Sequence, residues 1–492
     1  MSKLAISHQT KLPNSPLELF VDPNARRTTT RALYQQLREA IATGRVSPGD
    51  RLPPSRELAE QLGISRHTIT TVYDQLVGEG YLEGRAGGGT FVNPTHTSRL
   101  PPSRSVHTPL STGTVIEDES PGQPRFDLRP GSPDLGLFPT DAWRRCMTAA
   151  LHEPPRGYGG PAGLPALRET IAHWIGRSRG LDVAAGQIMV TSGAQQAIDL
   201  IIRSHLKPGD IVALEEPGYR PVRQLCEAIG ADVRPVPVDS EGLVVEQVPD
   251  GARLIYTTPA HQFPTGVVMS LPRRLELLEH AQRHDVTIIE DDYDSEYRHV
   301  ARPLEPLQRL DRGDNVIYVD TFSKTLSPAL RLGFAVLPRS MVSEVLELRQ
   351  LTDWQPAEPN QKAMTRFIAD GHLARHLRRT RRIYTERHRV VSEFLVHAVE
   401  QHRLRQFTPT CAGLHITATL PDGTDEQEVH RAADREGVAV GDFASCWQST
   451  KPSPGLIIGF GSIASDDIPD ALHALSRAVG APASRFAAVD PR

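Results

Sequence analysis

Lys324 lies in the run Thr321-Phe322-Ser323-Lys324-Thr325-Leu326-Ser327, among hydroxyls and apolar side chains, with Arg331 seven residues on. A lysine partly desolvated beside another cation has a lowered pKa and can form a Schiff base with a carbonyl compound. Most single lysines are surface residues, so chemistry here needs partners. Thr191-Ser192-Gly193-Ala194 precedes a helical pattern through Ala197, Leu200 and Ile201. Small residues at a helix N-terminus leave amide groups free to cradle an anion such as a phosphate. Glu290-Asp291-Asp292-Tyr293-Asp294 is dense in carboxylates. At a strand end such a cluster could bind Mg²⁺ or form a solvated loop. Tyr219, in Glu216-Pro217-Gly218-Tyr219, brings an aromatic ring that could be a core residue, a rim residue or a stacking partner.

These groups need elements to bring them together. Short apolar runs at 188–190, 211–214, 254–256, 287–289, 316–319 and 334–337 read as buried parallel strands, with helical periodicity between most of them. Such alternation predicts an α/β body with a mostly parallel central sheet. Ligands of such sheets bind beyond the carboxyl ends of the strands. Each of the segments above follows one of these runs. No GxGxxG follows a strand, which argues against a dinucleotide site.

Jointly these motifs resemble fold-type-I pyridoxal-phosphate (PLP) enzymes of the class I aminotransferase kind. Singly they are less specific. The resemblance covers about residues 125–480. It implies that Lys324, in SKTLSPALR, is the Schiff-base lysine of the cofactor. It implies that Asp291 faces the pyridine nitrogen, that Tyr293 reaches the ring oxygen and that Tyr219 stacks on the ring. Ser192, Gly193, Ala194, Ser323 and Arg331 would hold the phosphate. Tyr158, in RGYGGPAGLPALR, resembles a tyrosine that reaches the phosphate across a dimer interface. The chain departs from the family twice. PAHQFPTG (259–266) stands where the family has NPxNPTG, with His261 and Gln262 in place of asparagine. GLIIGFGSIAS (455–465) lacks the arginine that clamps a substrate carboxylate, for which Lys451 would be a poorer, point-charge substitute.

A separate pattern occupies the N-terminal part. Leu33, Leu37 and Ile41 form one apolar stripe ending near Gly44. A second helix is expected from an N-cap at Ser55, carrying Leu58 and Leu62 to Gly63. A third opens at Ser65, with Ile69, Val72, Leu76 and Val77 inward and Arg66, His67, Thr68 and Thr71 outward. YLEGRAGGGTFV then reads as a hairpin with Arg85 near its tip. GDRLPPSRELAEQLGISRHTITTVYDQLVGEGYLEGRAGGGTFV resembles the winged helix-turn-helix of GntR regulators. That resemblance implies contacts to double-stranded DNA from Arg56, Ser65, Arg66 and Thr68, and from Arg85 and Gly88 of the wing. Charge alone is a weak footprint, since residues 1–92 carry 11 Lys or Arg against 9 Asp or Glu, about +2 net.

Composition agrees with this plan. The 492 residues are 39% hydrophobic and 23% charged, which excludes a collagen, a coiled-coil rod or a wholly disordered chain. No run of about 18 apolar residues exists, so no membrane span is expected. The first residues lack a signal-peptide core, and the four cysteines make no CxxC pair or zinc spacing. A reduced, cytoplasmic protein is expected. The layout predicted is a flexible arm (1–27), a DNA-binding head (28–92), a linker rich in Pro, Ser and Thr (93–123), the PLP-binding body (124–480) and a flexible tail (481–492).

A GntR head on an aminotransferase-like body resembles the MocR-type transcriptional regulators over nearly the whole chain. That implies a homodimer reading two operator half-sites. Its effector would be PLP, as in the PdxR-like branch, or a PLP–amino acid adduct. It would control PLP synthesis or amino-acid or amine metabolism. The alternative is an aminotransferase that merely carries a DNA-binding head. Residues 375–389, RHLRRTRRIYTERHR, read either as a solvated helix face or as a second DNA-contacting surface. His372 and His376 have no acid between them, and no metal site is expected there.

Overall fold

The computed structural model describes residues 8–11, 18–21, 29–85, 88–94, 124–154, 157–299, 305–448 and 453–480. It divides into two compact units, Met1–Glu119 and Ser120–Arg492. The expected linker, apart from its first two residues, and the tail at 481–492 lie outside the described residues, as does Lys451.

In the first unit, helices Thr29–Ala42, Ser55–Leu62 and Arg66–Gly78 pack around Leu33, Leu37, Leu58, Leu62, Ile69, Val72 and Leu76, all buried. Gly63 takes a left-handed conformation (φ 65°) that turns the chain between the second and third helices. Ser55 is the first helical residue rather than the cap; Pro54 occupies the cap position, without a side-chain bond. Val77 is exposed, and Tyr73 takes the inward place expected for it, donating to the Pro53 carbonyl at 2.9 Å. The wing strands Leu82–Arg85 and Gly89–Val92 pair antiparallel. The expectation of a flexible arm over 1–27 needs correcting in part. His8–Lys11 and Glu18–Val21 form an antiparallel pair, and Leu19 is buried in the core of the head. One well-placed apolar side chain can anchor a segment too short to show periodicity.

The second unit is built on an eight-stranded sheet. Its order is Ile188–Thr191, Gly333–Val336, Val316–Thr321, Thr287–Asp291, Ala252–Thr257, Ile211–Glu216, Asp232–Asp239 and Gly242–Leu243. The five strands from 316–321 to 232–239 run parallel. The expectation of a parallel strand at 334–337 fails: Gly333–Val336 is antiparallel to both neighbours. The connection from Phe322 to Leu332 carries only the short helical turn Pro328–Leu330 in place of a crossover helix, and the chain returns in the opposite direction. Asp232–Asp239 shows no apolar run in the sequence because Pro235 and Pro237 interrupt it; both are tolerated next to the short terminal strand.

A five-stranded sheet completes the body: Gln406–Phe407, His415–Thr419, Gly455–Gly459, Val438–Asp442 and Phe126–Leu128. Against it lies the 29-residue helix His372–Glu400. Leu373, Leu377, Tyr384, Val391 and Leu395 recur on its buried side. The basic stretch is therefore not one face. Arg387 is buried and reaches the Asp134 carboxylate at 2.6 Å, Ser465 Oγ at 3.0 Å and the Gly461 carbonyl at 3.2 Å. Arg389 sits exposed between Glu386 and Glu393. His376 Nε2 is engaged with the Thr325 carbonyl at 2.8 Å, so it does not pair with His372.

These two arginines make a test. Arg387→Ala takes the charged donor away from the half-buried Asp134 carboxylate, which keeps the Gly136 amide, and from the Gly461 carbonyl, and should cost about 3–5 kcal/mol. Arg389→Ala removes an exposed pair and should change stability by less than about 0.5 kcal/mol. Denaturant titration of both variants checks this; equal effects would contradict the assignment.

Candidate functional site

The antiparallel return strand fixes the site. Thr321 pairs with Gly333, and Gly333 pairs with Thr191, so three chain segments leave the sheet at one rim. Ser323, Lys324 and Arg331 belong to the turn between the first two strands. Gly193 and Ala194 begin the helix Ala194–His205 that follows the third. They line one cavity of about 430 Å³ with Tyr219, Tyr256, Asp291, Tyr293 and His415.

One end of this cavity is built for an anion. Gly193, Ala194 and Gln195 present the first turn of the helix. Gly193 has φ +103°, and a Cβ placed there would meet the Arg331 guanidinium at 3.4 Å. Arg331 is exposed and forms no ion pair among the described residues. A helix N-terminus and a free guanidinium repel each other unless an anion lies between them. Ser323 Oγ joins this end, accepting from Thr321 Oγ1 at 2.9 Å. Ser192 does not line the cavity; its amide is bonded to Gln196 Oε1 at 2.7 Å. Of the three residues expected at this turn, Gly193 and Ala194 line the cavity and Ser192 does not.

The acidic run does not converge on a cation. Glu290 accepts from the amides of Leu307 and Gln308 at 2.9 and 3.0 Å. Asp292 accepts from Tyr318 at 2.6 Å and pairs with buried Arg179 at 3.2 Å. Asp294 holds His261 Nδ1 at 3.1 Å and the Leu414 amide at 3.1 Å. Only Asp291 turns to the cavity with capacity to spare. Its Oδ2 accepts from Tyr256 at 2.7 Å, while its buried Oδ1 has no hydrogen-bond partner. Burial pushes its pKa up to about 7. A cationic N–H is the group that this oxygen lacks.

Lys324 lies between these ends. Its amine donates to the Gly131 carbonyl at 2.6 Å. Desolvation lowers its pKa, against the opposing pull of Asp294 and Asp291. Tyr219 lines the wall edge-on to Phe263, ring centroids 5.6 Å apart. Tyr293 lines it too, but its hydroxyl donates to the His261 carbonyl at 2.8 Å. The ring-oxygen contact expected of it would need that bond to be exchanged. Tyr158 is 86% exposed, against Trp354, and does not line the cavity of its own chain.

Gly131, Tyr256, Thr258 and His415 line the cavity without a prior sequence signal. Tyr256 could have been found as the last aromatic of a strand. Gly131 follows the strand Phe126–Leu128 of the small sheet, and His415 opens its strand His415–Thr419. The cations among the described lining residues are Lys324 and Arg331.

In the head, Arg56 and Arg66 are exposed at helix starts. Arg66 Nε lies 3.4 Å from Ser55 Oγ. Ser65 and Thr68 are engaged with each other, through the Thr68 amide at 3.1 Å and the two hydroxyls at 2.8 Å. Arg85 pairs with Glu83 and stacks on Phe91, 4.6 Å from the ring centre. The Gly88 amide closes the wing turn on the Arg85 carbonyl at 2.9 Å. Arg51, unremarked in the sequence, bridges to Phe91 at the same wing.

Asp291 generates a pH-dependent expectation. An unfolded aspartic acid loses its proton near pH 4, about 3.9, and the folded one only at about 7. Stability should therefore fall as pH rises between these values, by about 4 kcal/mol in all. Asp291→Asn keeps an acceptor for Tyr256 and removes the titration. It should stabilise the cofactor-free protein above about pH 7, and the gain should vanish near pH 4. Urea titrations across that range check it, and a gain independent of pH would contradict it.

Residues 29–92 match the family model of bacterial regulatory proteins, gntR family, and residues 130–447 match that of aminotransferase class I and II. The chain is 35% identical over 474 residues to the probable rhizopine catabolism regulatory protein MocR of Rhizobium meliloti, covering 94% of this chain and 95% of that protein. It is 33% identical over 470 residues to the HTH-type pyridoxine biosynthesis transcriptional regulator PdxR of Corynebacterium glutamicum, covering 94% and 98%. The body is similar in structure to Pyrococcus horikoshii kynurenine aminotransferase in complex with PMP. The TM-score is 0.66 and the identity 29%, over 72% of this chain and 90% of that one. The chain belongs to the MocR-type transcriptional regulators, in which a DNA-binding head of the GntR family is joined to an aminotransferase-like body.

Proposed function

We propose that this regulator binds pyridoxal 5'-phosphate in the cavity around Lys324 and that the cofactor itself is the effector controlling DNA binding. The observation that carries this is the pairing of two incomplete ends in one cavity. A buried Asp291 oxygen lacks a donor, and the unpaired Arg331 faces a helix N-terminus. A ring with a protonated nitrogen at one side and a phosphate at the other completes both. When bound, the cofactor supplies an aldehyde for a lysine amine and an electron-withdrawing ring.

The chain's own residues then have separable tasks. Gly193, Ala194, Gln195, Ser323 and Arg331 bind the phosphate. Asp291, oriented by Tyr256, keeps the ring nitrogen protonated. Tyr219 covers a ring face. Lys324 must give up the Gly131 carbonyl to use its amine. Gly131 lies on a segment continuing to Asp134, which Arg387 and Tyr384 of the long helix hold. Exchange of that lysine bond gives the ligand a route to bias how the body packs. A ligand shifts DNA affinity only by its differential affinity for the two states.

In this reading the protein works in the cytoplasm as a homodimer on two half-sites, about 34–36 Å or a multiple apart. The outward Tyr158 supports a role across the dimer. With both described cations of the cavity assigned to PLP, the effector is PLP rather than an amino-acid adduct.

Added PLP should give the wild type a protein-bound absorption band that Lys324→Ala lacks; a band of equal strength in both would sink the assignment. Arg331→Gln removes one charge-assisted phosphate contact and should weaken PLP binding by roughly tenfold to a hundredfold. In the head, Arg66→Ala should weaken DNA binding with PLP affinity unchanged, read by fluorescence anisotropy. Unaltered DNA affinity would remove Arg66 from the interface.

A further inference from the structure

The long helix His372–Glu400 carries a cationic face that neither the cavity nor the core uses. Arg375, Arg378, Arg379 and Arg382 are all exposed. At 100° per residue they fall within one arc of about 100°, opposite the buried line of Leu373, Leu377, Thr380, Tyr384 and Arg387. They span about 10 Å of helix axis.

Their surroundings separate them from the other arginines of the same helix. Arg381 donates both Nε and Nη2 to the Glu296 carbonyl, at 3.0 and 2.8 Å. Arg387 is buried on Asp134. Arg389 is neutralised by Glu386 and Glu393. Arg378, Arg379 and Arg382 form no ion pair among the described residues, and Arg375 makes only a backbone contact, to the Asp370 carbonyl at 2.8 Å. The pairs Arg375/Arg379 and Arg378/Arg382 are like charges at i, i+4, which oppose helix formation. The next turns of the same surface alternate acid and base, as an ordinary solvated face does. The two turns with arginine alone do not.

We infer that this arginine face is a second DNA-contacting surface, on the effector body, that binds the phosphate backbone. Guanidinium groups on a rigid helix suit phosphate oxygens without reading sequence. The head by itself offers little electrostatic attraction, with a net charge of about +2 over 1–92. A chain of net charge −4 that binds DNA must concentrate its positive charge locally. The inference rests on DNA binding by this chain and not on PLP.

The test is a salt titration of the full-length protein on a long duplex of mixed sequence, because phosphate contacts do not depend on sequence. Each contact contributes about 0.9 to the slope of log affinity against log salt concentration. R378S/R379S/R382S should lower that slope by roughly 2–3 and weaken binding at low salt by about tenfold or more. R405S/R431S/R435S removes three arginines that pair with acids elsewhere on the body. It changes the net charge equally and should leave the slope as in the wild type. An unchanged far-ultraviolet circular dichroism spectrum and urea midpoint show that both variants fold. If the first variant matches the wild type in slope and affinity, the inference fails while DNA binding by the head stands. An equal loss in both variants also overturns it, since net charge alone would then explain the effect. If the wild type binds no duplex, the DNA-binding reading and this inference fail together.

Discussion

The short connection between Thr321 and Gly333 is the constraint on which the rest of the body depends. It carries only the short helical turn Pro328–Leu330 and no crossover helix, and the strand after it runs back antiparallel. That reversal places Ser323 and Lys324 at one end of the turn and Arg331 at the other. It also lets Ile188–Thr191, antiparallel in its turn, leave the sheet at the same rim. Two segments distant in sequence, this turn and the start of the helix after Thr191, meet at that rim. Arg331 pays for its position with a left-handed backbone (φ 49°), unusual for a residue with a Cβ.

The site is also costly to the protein that carries it. Asp291 is buried with one oxygen unsatisfied, and burial raises its pKa to about 7. Lys324 is desolvated in the same cavity, and Arg331 stands beside a helix N-terminus of like polarity. None of these choices favours folding. Each becomes favourable when a ligand brings a cation to Asp291 and an anion to Arg331. Binding energy of that kind is what a ligand-controlled regulator has to spend on changing its own packing.

Much of this was legible in the sequence, for a local reason. Lys324, Asp291, Tyr219, Gly193 and Ala194 each follow an apolar run closely, Arg331 just precedes the next run, and strand ends are where α/β sheets bind ligands. The three head helices were legible through their apolar stripes and Gly63. The rest depended on contacts between segments far apart in the chain. Gly131 and His415 come from the small sheet, whose strands are short and interrupted. The division of the acidic run became clear only with Leu307, Tyr318, Arg179 and His261 in place. Arg387 and Arg389 look alike in sequence, yet one is buried against Asp134 and the other is solvated. Tyr293 lines the cavity, but its hydroxyl is taken by the His261 carbonyl.

The central claim is that occupancy at Lys324 is linked to DNA binding. The most direct measurement is the affinity of the full-length protein for a duplex that it has itself selected from a random pool, with and without PLP. The account predicts that PLP changes the wild-type affinity and leaves that of Lys324→Ala unchanged. Equal wild-type affinity with and without saturating PLP, with an unchanged footprint, would contradict it and reduce the body to a scaffold that holds a cofactor without reporting it.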